Sequence, residues 1–245
     1  FRNVDVPLAS SFMLSTKLGK EVYIEPVIEG SNYKFTVKIG KPKNMESVKN
    51  GTKVGRGGHF QCLLSGAPIP VDYIRNQGLN KTLGERMMAI VAEGDRGRIY
   101  LAPTTEHEVV AKNAKPNWGP DLSINHNPRD IRTQLYGLTK YRDLFTSRQL
   151  VALTTFSDLV GEVMGPIQKD ALTSGLAKDN KPLRDDGTGA KAYAEAVVVY
   201  LACAVSKETM FLVTQARWRA GEGKSAPAFG RQALPMVWDF ADLNP

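Results

Sequence analysis

Between Ala190 and Ala220 the chain contains neither proline nor glycine, and residues 196–205 are apolar on nearly every side of a helical wheel. A helix with no polar face is expected to be buried on several sides, so the fold must pack other elements around it. A second helix is expected before it. Thr146-Ser147-Arg148-Gln149 has capping-box spacing, and Leu150, Leu153, Phe156, Val160, Val163, Met164 and Ile167 follow at near-helical intervals. Pro166 should bend or end that helix, because proline lacks the amide hydrogen and clashes with the preceding turn. The polar stretch 178–189, with Asp179-Asn180-Lys181-Pro182 and Asp185-Asp186-Gly187, reads as an exposed connection.

The first half follows a different pattern. Residues 21–28 and 33–39 are β-rich runs separated by Glu29-Gly30-Ser31-Asn32, which predicts a hairpin. Residues 41–58 read as a loop rich in Lys, Gly and Asn, ending in Gly55-Arg56-Gly57-Gly58 before the short apolar run 60–64. A second hairpin is expected from residues 87–92 and 99–101 around Glu93-Gly94-Asp95-Arg96-Gly97. Thr105-Glu106-His107-Glu108 then predicts a capping box opening a short helix to about Lys112, with Glu108 reaching back to the first amide. Residues 116–132, rich in Pro, Asn and Asp, read as a linker or ordered surface loop. The expectation is an α+β fold: an N-terminal β-ribbon region over 1–80, a mixed middle over 81–132 and a mainly helical region over 133–245.

A length of 245 residues, 42% of them apolar, allows one large core or two small ones. The net charge of +7, concentrated early in Lys34, Lys38, Lys41, Lys43, Lys49, Lys53 and Arg56, permits an anionic partner; a solvated face explains it equally well. Two cysteines, Cys62 and Cys203, exclude a disulfide scaffold. The start offers no cationic head followed by an apolar stretch, and the run 196–205 is too short to span a bilayer. A reduced, cytoplasmic location without a membrane partner is therefore expected. The chain opens on Phe1 and stops at Asn244-Pro245, which reads as a fragment.

No glycine-rich dinucleotide fingerprint, Walker pattern, nucleophile elbow or zinc-protease helix occurs, so no catalytic residue is assigned. Phe60-Gln61-Cys62-Leu63-Leu64-Ser65-Gly66 is placed like one knuckle of a zinc ribbon, yet its second ligand position is Ser65 and only His59 is adjacent, so no metal is expected. His107 lies between two carboxylates, but neighbouring helical residues point in different directions and the helix-start reading already uses this segment. His126 has no evident partner. The basic segments Arg217-Trp218-Arg219 and 140–148 could contact phosphates; the plainer reading makes them helix-surface charges with Trp218 in the core. The candidate DNA-contacting residues are Lys53, Arg56, Arg148, Arg217, Arg219 and Arg231.

Several stretches resemble the central region of the zinc-ribbon-containing family of adenine-specific DNA methylases. They are Val6-Pro7-Leu8 with residues 11–17, Gly51-Thr52-Lys53, Arg56-Gly57-Gly58, residues 88–94, residues 100–104, Tyr136-Gly137-Leu138, residues 143–150 and residues 229–240. The resemblance covers almost the whole chain. It implies a parent enzyme that uses S-adenosylmethionine, bound upstream by a glycine-rich motif, and an Asp-Pro-Pro-Tyr catalytic motif downstream. Neither motif occurs here, and Asp239-Phe240-Ala241-Asp242 lacks both prolines, so this portion is expected to hold no cofactor itself. Ser65 and the missing first cysteine pair depart from the family's zinc site. The resemblance implies a segment that positions DNA or completes the substrate cleft alongside the parent's remaining domains. The alternatives are a nucleic-acid-binding module with no enzymatic role, or a structural or partner-docking insert.

Overall fold

Val22, Ile24, Tyr33 and Phe35 point to one side of a two-stranded ribbon because side chains alternate along a strand. In the computed structural model, which describes residues 4–230 and 232–244, that ribbon is β2 (Val22–Glu29) against β3 (Asn32–Ile39), with Glu29 opposite Asn32 and Val22 opposite Ile39. The turn is shorter than expected, only Gly30-Ser31, with Gly30 at φ +63°. β1 (Met13–Ser15) pairs antiparallel to the outer side of β2. The buried side chains pack with Ala9, Phe12 and Leu14, and Phe35 meets Tyr33 edge-on at 5.4 Å.

The stretch 41–58 is not wholly a loop. It contains the short helix α1 (Met45–Asn50), opened by the Asn44 side chain, which accepts from the Ser47 amide at 3.0 Å. Gly51 ends it at φ +59°, and a Cβ there would lie 2.4 Å from the Ala9 carbonyl oxygen. β4 (Phe60–Gln61) and β5 (Pro68–Ile69) form a small ribbon, followed by α2 (Val71–Leu79), a helix that the sequence patterns did not mark. The next hairpin, β6 (Ile90–Gly94) and β7 (Gly97–Leu101), again turns on two residues rather than five. α3 (Thr105–Lys112) begins one residue earlier than expected. Thr104 is its cap and His107, not Glu108, reaches back, with Nδ1 accepting from the Thr104 amide at 3.3 Å. Glu108 instead lies 3.7 Å from Arg86.

Residues 113–132 carry no helix or named strand, yet Ile124 is buried and Asn127 accepts from the amides of Arg129 and Asp130, so this is an ordered loop. α4 (Ser147–Glu162) opens on the expected box: Thr146 Oγ1 accepts from Gln149 N at 3.2 Å, and Gln149 Oε1 from Thr146 N at 2.9 Å. The helix breaks at Val163, and Pro166 lies in the first turn of α5 (Met164–Thr173), where an amide hydrogen is dispensable. By length and composition alone, Ser147–Thr173 would pass as a membrane-crossing stretch. Here it is two helices packed on α6 (Ala190–Glu208).

α6 departs from expectation twice. It stops at Glu208, and the remaining residues turn and form β8 (Arg217–Arg219) and β9 (Lys224–Ala226). Leu212 and Val213 are fully buried, Val213 packs in a cluster with Leu144 and Ile124, and the Thr214 amide donates to the Leu144 carbonyl at 2.9 Å, so tertiary contacts override helix propensity. Nor is α6 buried on several sides: only Ala190, Ala192 and Ala194 are buried, while Val199 is 56% and Tyr200 78% exposed.

The chain then returns across the N-terminal body. Trp238 stands edge-on to Phe60 at 5.5 Å and to Tyr136 at 4.8 Å. Asp239 accepts from Ser10 N, Ser10 Oγ and Ser11 N at 3.0–3.2 Å. Burial raises its carboxyl above the ordinary aspartate value even though those donors oppose the shift.

Candidate nucleic-acid interface

Along β8 the side chains alternate: Arg217 and Arg219 are exposed, while Trp218 turns inward and its Nε1 donates to the Leu14 carbonyl at 2.7 Å. Residues two apart on a strand share a face at a spacing of about 7 Å, so the two guanidinium stems rise side by side. Lys224 pairs opposite Arg219 across the hairpin. Glu222 lies between these two cations, 3.0 Å from Arg219 and 2.6 Å from Lys224. Hydrogen bonds from Lys224 and then Arg219 hold its carboxyl below the ordinary range, so it stays ionised and offsets part of their charge. Among the described residues no carboxylate lies within ion-pair distance of Arg217.

Two other hairpins brace this one. Arg98 of β7 donates to the Glu222 carbonyl at 3.4 Å, and Gly223 beside it turns at φ +63°, a backbone conformation that favours glycine. On the other side, the Thr16 amide donates to the Ala220 carbonyl at 3.2 Å. The turn joining β1 and β2, Lys17-Leu18-Gly19-Lys20, therefore projects beside the turn of β8 and β9. β7 and the β1–β2 turn thus both lie against the β8–β9 hairpin, which brings Arg98, Lys17 and Lys20 near the hairpin that carries Arg217, Arg219 and Lys224.

The sequence-derived candidates separate accordingly. Arg217 and Arg219 fall together as supposed, though on a strand rather than a helix, and Trp218 is turned inward as the plainer reading held. Lys53 and Arg56 lie in the loop before β4, where Lys53 bridges to Phe60 rather than to β8. Arg148 is already engaged: its Nε donates to Asp242 at 3.1 Å and its Nη1 to Asn244 at 3.2 Å. Arg231 lies outside the described residues. Arg98, Lys224, Lys17 and Lys20 were missed because they come from three separate turns, and nothing local in the sequence announces that the turns meet.

Elsewhere the chemistry is sparse. The Cys62 to Ser65 turn keeps a knuckle-like shape, closed by Cys62 N to the Ala67 carbonyl and Gly66 N to the Cys62 carbonyl, both at 2.8 Å. The Ser65 hydroxyl holds the Cys62 thiol below its ordinary value. One thiol beside a hydroxyl is not a zinc donor set, and no cluster of three or more His, Cys, Asp or Glu side chains occurs among the described residues. An open cleft of about 450 Å³ between β2, α1 and this turn is lined by the ionisable side chains Tyr23, Glu25, Lys43 and Cys62 among otherwise neutral residues. His126 has a partner after all, Gln134 at 3.3 Å. No family model, no curated protein and no solved structure matches the chain.

Proposed function

We propose that this chain is a DNA-positioning segment of a cytoplasmic adenine-specific DNA methylase, in which the β8–β9 face takes the phosphate backbone. The reading rests on Arg217, Arg219 and Lys224 standing on one hairpin that Arg98 of β7 and the β1–β2 turn both contact. Phosphate contacts supply most non-specific affinity and fix the register of a protein on a duplex. The resemblance of residues 143–150 and 229–240 to the methylase family supports the wider assignment, with S-adenosylmethionine bound by another part of the parent enzyme.

The test is duplex binding by the 245-residue chain over a salt series, with S-adenosylmethionine calorimetry in parallel. Salt-sensitive DNA binding without cofactor affinity is expected, and the double variant Arg217→Ala, Arg219→Ala should lower the slope of log K against log salt by about 2. A salt slope unchanged in that variant, or no DNA binding at all, would remove the proposal.

A partner-docking role is the second reading, favoured by the outward-facing Val199 and Tyr200 of α6. The two readings are compatible. In the parent enzyme, α6 would seat against the remaining domains while the β8–β9 face stays open to DNA.

A further inference from the structure

Leu18 is 96% exposed, the most exposed large apolar side chain among the described residues. Its setting is specific. Lys20 N donates to the Lys17 carbonyl at 2.9 Å, closing a four-residue β-turn, and Gly19 sits third in it at φ +71°. That is the type II pattern, whose apex residues are the second and third. Gly19 has no side chain, so Leu18 alone projects from the apex, with exposed Lys17 and Lys20 on either side. The turn is also rigidly held. Thr16 bonds to Ala220 and Leu14 accepts from Trp218, so the strand leading into the apex is fixed to the strand that carries Arg217 and Arg219.

We infer that Leu18 is an apolar wedge that enters a base step of duplex DNA from the minor groove while the neighbouring cations hold the flanking phosphates. This rests on the DNA-positioning reading above and adds how the duplex is engaged. Proteins that bend DNA insert single aliphatic side chains between base pairs in this way, unstacking the step and kinking the helix. The geometry favours duplex DNA over other nucleic acids. A leucine offers no ring on which a splayed single-stranded base would stack, and the one aromatic residue of β8, Trp218, is turned inward. A-form RNA presents a shallow minor groove read mainly through hydroxyls and phosphates. A membrane is the poorer fit, because one leucine at an apex gives little of the buried apolar area that interfacial anchoring needs.

The wedge is tested with a duplex carrying 2-aminopurine, whose fluorescence rises when its step is unstacked. Wild-type chain should raise the signal on binding. Leu18→Ala should abolish the rise and weaken binding roughly 10-fold with an unchanged salt slope, and Leu18→Met should restore both. Binding that is salt-sensitive but gives the same signal in wild type and Leu18→Ala overturns the wedge and leaves the DNA-positioning reading intact. Absence of DNA binding by wild type overturns both. Leucine-dependent binding to phosphatidylglycerol vesicles without any rise in 2-aminopurine signal would reassign the apex to a lipid surface and overturn the wedge.

Discussion

In the body built on β1, β2 and β3, the inward residues Val22, Ile24, Tyr33 and Phe35 are almost completely buried, whereas on α6 Val199, Tyr200 and Leu201 are left in contact with solvent. The two regions also differ in what closes them. The body is held by residues far apart in sequence: Asp239 on Ser10 and Ser11, Trp238 on Phe60, Trp218 on Leu14. The helical unit is held mainly by α4, α5 and α6 packing on one another, and only the start of α4 reaches far along the chain, through Arg148 and Gln149 on Asp242. Long-range closure sets β7 and the β1–β2 turn against the β8–β9 hairpin and so groups cations that no local segment contains. Local closure leaves an apolar helix face uncovered among the described residues.

The hardest blow to this contrast is Trp238→Ala. The indole fills the space between Phe60 and Tyr136, so truncation should destabilise the chain by about 3–5 kcal/mol, read as a lower urea midpoint. A loss under about 1 kcal/mol would mean the C-terminal stretch merely lies on the body.

Asp239 sharpens the same point. Asp239→Ala leaves the Ser10 and Ser11 donors without their acceptor and should cost about 1–3 kcal/mol. Its pH signature has a definite sign. The folded carboxyl titrates above the unfolded one, so the contribution is fully present below the unfolded pKa and is lost as pH rises through the folded pKa. Asp239→Asn can keep the geometry: both backbone amides reach one oxygen of the carboxylate, and Ser10 Oγ the other, where an amide nitrogen could donate instead. That variant should flatten the fall in stability from acid toward neutral pH. An undiminished fall in urea series across that range would assign the pH dependence to another group.

Arg148 is a smaller case. It opens α4 but holds Asp242 and Asn244, so Arg148→Ala should destabilise by about 1 kcal/mol while leaving the salt dependence of DNA binding unchanged. A flattened salt slope in that variant would extend the proposed DNA face to the start of α4.

What was legible in the sequence follows the same division. The hairpins and the α4 cap were readable because turn residues and capping boxes act over a few positions. Within α6 the pattern was read correctly as helix but wrongly as buried, because an all-round apolar helix reports a need for cover and not its source. The end of α6 at Glu208 was not legible, since residues 209–220 have no breaker and are drawn away by the burial of Leu212 and Val213. Arg217 and Arg219 were marked together because they flank Trp218 in a basic segment, on what the sequence presented as a helix. Their companions Arg98 and Lys224, and the apex at Leu18, depended on how distant turns meet.

The smallest expected effect bears on the helical unit. Val199→Ser with Tyr200→Ser removes two exposed apolar side chains and should change stability by no more than about 0.5 kcal/mol, apart from a small helix-propensity cost. A loss above about 2 kcal/mol in urea unfolding would show these side chains covered within the chain, and the contrast between the regions would collapse. If stability holds while self-association or binding of a hydrophobic dye falls, the α6 face is an open surface whose apolar character has no role in holding this chain together. A contact outside the chain would then be needed to account for those apolar residues, as the partner-docking proposal for α6 holds.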